Sequence, residues 1–99
     1  MKIVILGAGG MLGSDLVSAF KSYKVFPFKK ANLDITNYNH FKKIIKLKPN
    51  LVINAAAYTD VDNAETNKEE AFKVNAYAVR DLAKVCKKIN CNLIHYSTD

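Results

Sequence analysis

The chain has 99 residues, of which 49% are hydrophobic and 24% charged, with four glycines and two prolines. Such a length holds one domain; the apolar content excludes a disordered tail, and the scarcity of Gly and Pro excludes a collagen-like or linker-like chain. The net charge is +6, concentrated in residues 1–50, where nine lysines face only Asp15 and Asp34, a balance of +7. These lysines, Lys42, Lys43, Lys46 and Lys48 among them, are scattered over expected helix surfaces with little aromatic interleaving. A solvated basic face is therefore expected, with no nucleic-acid partner and with long-range attraction for an anionic ligand. No apolar run approaches the roughly 18–20 residues that a bilayer span needs, so no membrane partner is expected.

Residues 2–6, Lys-Ile-Val-Ile-Leu, form a β-branched run that predicts a buried parallel strand, with no targeting segment before it. Gly7-Ala8-Gly9-Gly10 breaks the run, and Leu12, Leu16, Val17 and Phe20 then recur at helical spacing, predicting a helix from Met11 to Tyr23. Val25–Phe28 reads as a second strand, with Pro27 placing it at an edge. Asn32–Thr36 reads as a loop. Tyr38–Leu47 carries Phe41, Ile44 and Ile45 on one helical face and stops before Pro49. Leu51–Asn54 is a third strand, followed by Ala55-Ala56-Ala57 and a polar loop over Thr59–Glu65. A long helix is expected over Glu69–Ile89, with Phe72, Ala76, Val79, Leu82, Ala83 and Cys86 as its inner stripe. Asn92–Tyr96 is a fourth strand. This alternation predicts an α/β fold: a Rossmann-type parallel sheet of about four strands, with about three helices distributed over both faces.

Chemistry begins at the turn between the first strand and the first helix. Gly7, Gly10 and Gly13 make a GxxGxxG pattern; GxGxxG would need a glycine at Leu12. A glycine turn at this place lets the backbone approach a pyrophosphate, and the helix N-terminus then offers free N–H groups and a positive dipole end. Dinucleotide binding is expected ahead of a merely tight turn. About 20 residues on, where an acid commonly holds the ribose hydroxyls of NAD, the chain has Lys29 and Lys30. An ammonium favours a 2′-phosphate, so NADP(H) is preferred as cofactor and NAD(H) stays open; the alternative is two lysines of a lysine-rich surface. Cys86 and Cys91 match neither a CxxC pair nor a zinc spacing. Free thiols in a reducing, cytoplasmic compartment are expected, and no metal. Asp60, Asp62 and Glu65 read as solvated or helix-capping acids. His40 is expected to be exposed on its lysine-rich helix and His95 to be structural in its strand, neither with a chemical role.

Three segments carry a resemblance: Asn54-Ala-Ala-Ala-Tyr-Thr-Asp-Val-Asp-Asn-Ala-Glu65, then Ala71-Phe-Lys-Val-Asn75, then His95-Tyr-Ser-Thr-Asp99. Together they resemble the dTDP-4-dehydrorhamnose reductase family of the extended short-chain dehydrogenase/reductases, along the whole chain. Related nucleotide-sugar epimerases and dehydratases, which usually have His-x-Ala-Ala after the third strand, fit less well. The resemblance implies reduction of the C4 ketone of dTDP-4-dehydro-rhamnose to dTDP-rhamnose. It also implies places for individual residues. Gly10, Met11 and Leu12 would lie under the pyrophosphate, Lys29 would face the adenosine ribose, and Asp34 and Ile35 would border the adenine. Ala55, Ala56 and Ala57 would pass close to the cofactor ribose and phosphates, and Tyr96 would flank the nicotinamide. Thr98 would be the hydroxyl member of the catalytic set, and Thr98 with Asp99 would contact the sugar.

Strand ends at Gly7, Phe28, Ala55 and Ser97 put these residues on one edge of an open sheet, where such folds bind ligands. The family's proton donor is a Tyr-x-x-x-Lys pair whose lysine lowers the tyrosine pKa. Tyr96 has no partner four residues on, and Tyr77-Ala-Val-Arg80 lacks a lysine at the right offset. The pair is expected past Asp99. The 99 residues are thus expected to be a truncated dinucleotide-binding domain of a longer reductase, inactive alone and with an edge prone to association, so that a homodimer stays open. A second reading is a non-catalytic NADP-binding subunit resembling the regulatory subunit of methionine adenosyltransferase.

Overall fold

A computed structural model describes residues 1–56 and 68–96. The chain runs β1 (Lys2–Leu6), α1 (Met11–Ala19), β2 (Lys24–Phe28), a 3-10 turn (Tyr38–Phe41) continuing into α2 (Lys42–Leu47), β3 (Leu51–Asn54), α3 (Lys68–Lys88) and β4 (Asn92–His95). All strand pairs are parallel, in the order β2-β1-β3-β4. The expected Rossmann-type sheet is present, and Pro27 lies on an edge strand, where a missing N–H costs no ladder bond.

The alternation of β1 explains the layering. Ile3 and Ile5 pack with Ile53 under Leu16 and Val17 of α1 and Phe20 just beyond it. Val4 and Leu6 join Val52 on the opposite face, under Phe41, Ile44, Leu82, Val85 and Cys86. Both faces of the central strands are dry, and each fully buried aliphatic side chain contributes about 1.5–3 kcal/mol.

The residue pairing also aligns the strand ends. Leu6 pairs with Phe28 and with Asn54, and Asn54 pairs with His95, so one row of four residues closes the carboxyl edge of the sheet. Chain order reverses there: β2 lies on one side of β1, while β3 and β4 extend on the other. The crevice outside the ends of β1 and β3 is the topological switch point, where open α/β sheets bind ligands.

Three local expectations are corrected. α1 stops at Ala19, because Phe20 leaves helical geometry and the next amides, Lys21 and Tyr23, bond back only three residues, to Ser18 and Phe20. Met1 O then takes the Lys24 amide and starts β2. The inner stripe of α3 is Ala78, Leu82, Val85 and Cys86, with Val79 half-buried and Ala76 and Ala83 exposed; the side chain of Phe72 lies outside the described residues. Small alanines fit either face of a helix, so composition could not set its rotation. His40 is half-buried and bonded, as described below. Among the described residues no helix is long and apolar enough to cross a membrane, and no group of three or more His, Cys, Asp or Glu could hold a metal ion.

Candidate dinucleotide site at the switch point

The glycine turn is held by its own backbone and by its neighbours. Gly10 N–H donates to Gly7 O at 3.1 Å, and Ala8 N–H donates to Phe28 O at 3.0 Å, tying the turn to the end of β2. Gly7 has φ +76°, a conformation that glycine adopts at no steric cost. A β-carbon there would meet Ala56 N and Cα at 2.7 Å and Ala55 C at 2.8 Å. The turn after β1 thus rests directly on the small residues after β3. Gly13 is closed in from the other side: a β-carbon would stand 2.0 Å from Gly7 O.

Gly10 is the N-cap residue of α1, in extended geometry, with no side-chain cap and no acid in the first turn. The first helical acceptor bond is Ser14 N–H to Gly10 O at 2.9 Å, so helix geometry leaves the N–H groups of Met11, Leu12 and Gly13 without an intrahelical acceptor. Met11 is 84% exposed. Free donors and an uncompensated positive dipole end fit a pyrophosphate. Lys29 follows β2 and lays its aliphatic stem alongside Gly9, where a β-carbon would meet Lys29 Cγ at 3.4 Å. Its ammonium is thereby carried on a side chain that borders the turn.

Asn54, fully buried, organises the end of β3. Its Oδ1 accepts from Ala56 N–H at 3.0 Å, and its amide nitrogen meets His95 Nδ1 at 3.1 Å. One buried amide therefore links the turn carrying Ala55 and Ala56 with the end of β4, next to Tyr96. The signal in the sequence was a lone asparagine ending an apolar strand.

Beyond β2, Asp34 is fixed at several points. Its Oδ1 accepts from Thr36 N–H at 3.0 Å and Thr36 Oγ1 at 2.7 Å, its carbonyl accepts from Asn37 N–H at 3.0 Å, and its own N–H donates to His40 Nδ1 at 2.9 Å. Burial pulls the Asp34 carboxyl up, but the Thr36 hydroxyl and amide, aided by Lys30 and His40, hold it below the ordinary 3.8. The neighbouring Ile35 is buried in the core. Ile35, Thr36, Tyr38, Phe41, Tyr77, Ala78 and Asp81 line a shallow cleft of about 170 Å³ between the 3-10 turn and α3.

The structure brings Gly7, Gly10, Met11, Leu12, Gly13, Lys29, Ala55, Ala56 and Tyr96 to the carboxyl edge of the sheet, with Asp34 and Ile35 on the loop that leaves β2. Ala57, Thr98 and Asp99 lie outside the described residues. A Tyr-x-x-x-Lys spacing does occur, from Tyr38 to Lys42. It straddles the 3-10 turn, where residues three apart eclipse. Tyr38 accordingly meets Phe41 edge-on, with ring centroids 5.6 Å apart. Both cysteines are free, Cys86 buried and Cys91 half-buried.

A family model described as RmlD substrate binding domain matches residues 1–99. The dTDP-4-dehydrorhamnose reductase of Mycobacterium tuberculosis is 42% identical over 100 residues, covering 99% of this chain and 33% of that protein. The enzyme of the same name from Aggregatibacter actinomycetemcomitans is 41% identical over 102 residues, covering 99% of this chain and 35% of that one. Among solved structures, dTDP-4-dehydrorhamnose reductase from Bacillus anthracis, in complex with NADP, superposes with a TM-score of 0.79 at 34% identity, over 93% of this chain and 34% of that chain. The chain spans about a third of the length of the relatives it matches.

Proposed function

This chain belongs to the RmlD substrate binding domain family, and from that premise we propose that its protein is an NADP(H)-dependent reductase converting dTDP-4-dehydro-rhamnose to dTDP-rhamnose. The observation that carries the reading is the uncapped α1 N-terminus at the switch point, with Gly7 seated on Ala55–Ala56 and Lys29 alongside Gly9. These features fit a dinucleotide: free donors for the pyrophosphate, small residues beside it and an ammonium for a 2′-phosphate. In this proposal residues 1–99 supply the dinucleotide-binding part.

The residue roles follow. The Met11, Leu12 and Gly13 amides hold the pyrophosphate, and Gly10 leaves their approach clear. Lys29 holds the 2′-phosphate, while Asp34 and Ile35 border the adenine. Ala55, Ala56 and Ala57 line the ribose and phosphate path, and Tyr96 flanks the nicotinamide. Bound NADPH supplies hydride. Thr98 donates a hydrogen bond to the C4 ketone oxygen, stabilising the charge that develops there, and Thr98 with Asp99 contacts the sugar. Proton delivery belongs to a Tyr-x-x-x-Lys pair of the kind the family resemblance implies, supplied from outside these 99 residues.

Cofactor preference tests the reading. In the full-length protein, Lys29→Asp is expected to lower the ratio of kcat/KM for NADPH over NADH by about tenfold or more, the worth of one charge-assisted contact at about 1.5–3 kcal/mol. An unchanged ratio would remove Lys29 from the 2′-phosphate. Absence of NADPH oxidation with dTDP-4-dehydro-rhamnose in the parent protein would overturn the proposed reaction.

A further inference from the structure

We infer that His40 is a positioning residue for the dinucleotide: in its neutral form it clamps the Asp34–Ile35 segment in the shape that receives the adenosine end. The inference rests on the proposed dinucleotide reading and adds to it a side chain that shapes the site from outside it.

The contact is a backbone N–H donating to a ring nitrogen, Asp34 N–H to His40 Nδ1 at 2.9 Å, six residues apart and partly buried. A nitrogen that accepts a hydrogen bond carries no proton, so this contact requires neutral imidazole with its hydrogen on Nε2. The surrounding bonds return the chain to the same point. Asn37 N–H donates to Asp34 O at 3.0 Å, His40 N–H donates to Asn37 O at 2.9 Å, and Asn37 Oδ1 accepts from Asn39 N–H at 3.1 Å. The 3-10 turn that presents His40 is thus built upon the loop it clamps. Lys43 Nζ bonds Asn32 O at the entrance to the same loop. With Thr36 on the carboxylate, Asp34 is held at its amide, its carbonyl and its side chain.

Of those three restraints, only the amide's acceptor is a side chain of the 3-10 turn, so exchanging His40 removes one restraint and spares the other two. From α3, Tyr77 and Asp81 face the 3-10 turn across the cleft lined by Tyr38 and Phe41. Removing the ring nitrogen takes away the acceptor of the Asp34 amide and leaves the segment with two of its three restraints. Dinucleotide affinity falls when the clamp is removed.

The test uses the full-length protein and its histidine variants, with NADPH affinity read by fluorescence at pH 8. Loss of one neutral hydrogen bond predicts that His40→Ala raises the Kd about three- to tenfold at pH 8. His40→Asn places an amide oxygen near the Nδ1 position, an acceptor that does not titrate. It is expected to restore the Kd to within about twofold of the parent. Asp34 amide hydrogen exchange in the ligand-free protein reads the clamp directly, and faster exchange is expected in His40→Ala. Parental affinity in His40→Ala, or an affinity in His40→Asn as weak as in His40→Ala, would overturn the role. If the parent itself fails to bind NADPH, the dinucleotide reading falls and the role falls with it. That failure is recognised by Asp34 protection that still depends on His40.

Discussion

Gly13→Ala probes whether the glycine turn is held by packing against itself. A β-carbon at Gly13 would stand 2.0 Å from Gly7 O, 2.7 Å from Gly7 C and 2.9 Å from Ala8 Cα. All three are backbone atoms, and ordinary contact begins at about 3.4 Å, so α1 must retreat from the turn by more than ~1 Å. Gly7 cannot yield toward the sheet, because Ala55 and Ala56 already close the space at its own β-position. Removing a helical glycine would by itself gain about 1 kcal/mol. Against that stand overpacking, at about 1–3 kcal/mol, and the strained Gly10 N–H to Gly7 O bond, worth about 1 kcal/mol. The net expectation is a loss of about 1–3 kcal/mol, measured by urea denaturation of the purified protein, together with weakened NADPH binding. Gly9→Ala is the matched control. Its β-carbon would meet only the flexible Lys29 stem, at 3.4 Å, and its stability should stay within about 0.5 kcal/mol of the parent. A Gly13→Ala protein as stable as the parent, or a Gly9→Ala protein equally damaged, would refute this account of the turn.

Other expectations follow from the buried polar groups. Asn54→Ala removes the acceptor of the Ala56 amide and the partner of His95, and should cost about 1–3 kcal/mol in the same urea titration. Because Asp34 is held below the ordinary 3.8, its contribution to stability is present above that value and is lost as pH falls through the lower folded one. Acid titration of Asp34→Asn should therefore show a shallower loss below about pH 4 than the parent. Burial pushes the Cys86 thiol up to about 12, with Cys91 beside it adding to the shift. At pH 8 Cys86 should resist iodoacetamide until denaturant is added, since the thiolate is the nucleophile. Its stabilising contribution should be intact below the ordinary 9.0 and disappear as pH climbs toward about 12.

The parts legible in the sequence were those governed by period and punctuation. The apolar run of residues 2–6, Pro27 and Pro49, and the glycines after Leu6 carry local signals, and each strand lies within one or two residues of its expected bounds. Three features depended on contacts no local pattern encodes. The rotation of α3 has no signal in its composition, because Ala76 and Ala83 satisfy either face. The end of α1 depended on Met1 O capturing Lys24 across the sheet. His40 looked like one more polar residue among lysines, and only the turn that brings it back to Asp34 N–H gives it a partner.

The glycines show why motif and mechanism should be separated. Read along the chain, GxxGxxG suggests clearance for a ligand. In the fold, Gly7 and Gly13 are required first by protein atoms: Gly7 by the turn after β3, Gly13 by Gly7 itself. These contacts stack α1, the turn and the end of β3 in one line at the switch point, which aims the Met11–Gly13 amides along the carboxyl edge of the sheet. Gly10, in ordinary extended geometry at the N-cap, has a different part: it exposes the helix end without closing it with a side-chain cap. Substitutions at Gly7 and Gly13 should therefore lower stability and binding together. A Ser at Gly10, whose hydroxyl can cap the helix, should weaken NADPH binding while stability holds or rises. A Gly10→Ser protein that binds NADPH as the parent does would mean that the open helix end is not where the pyrophosphate sits.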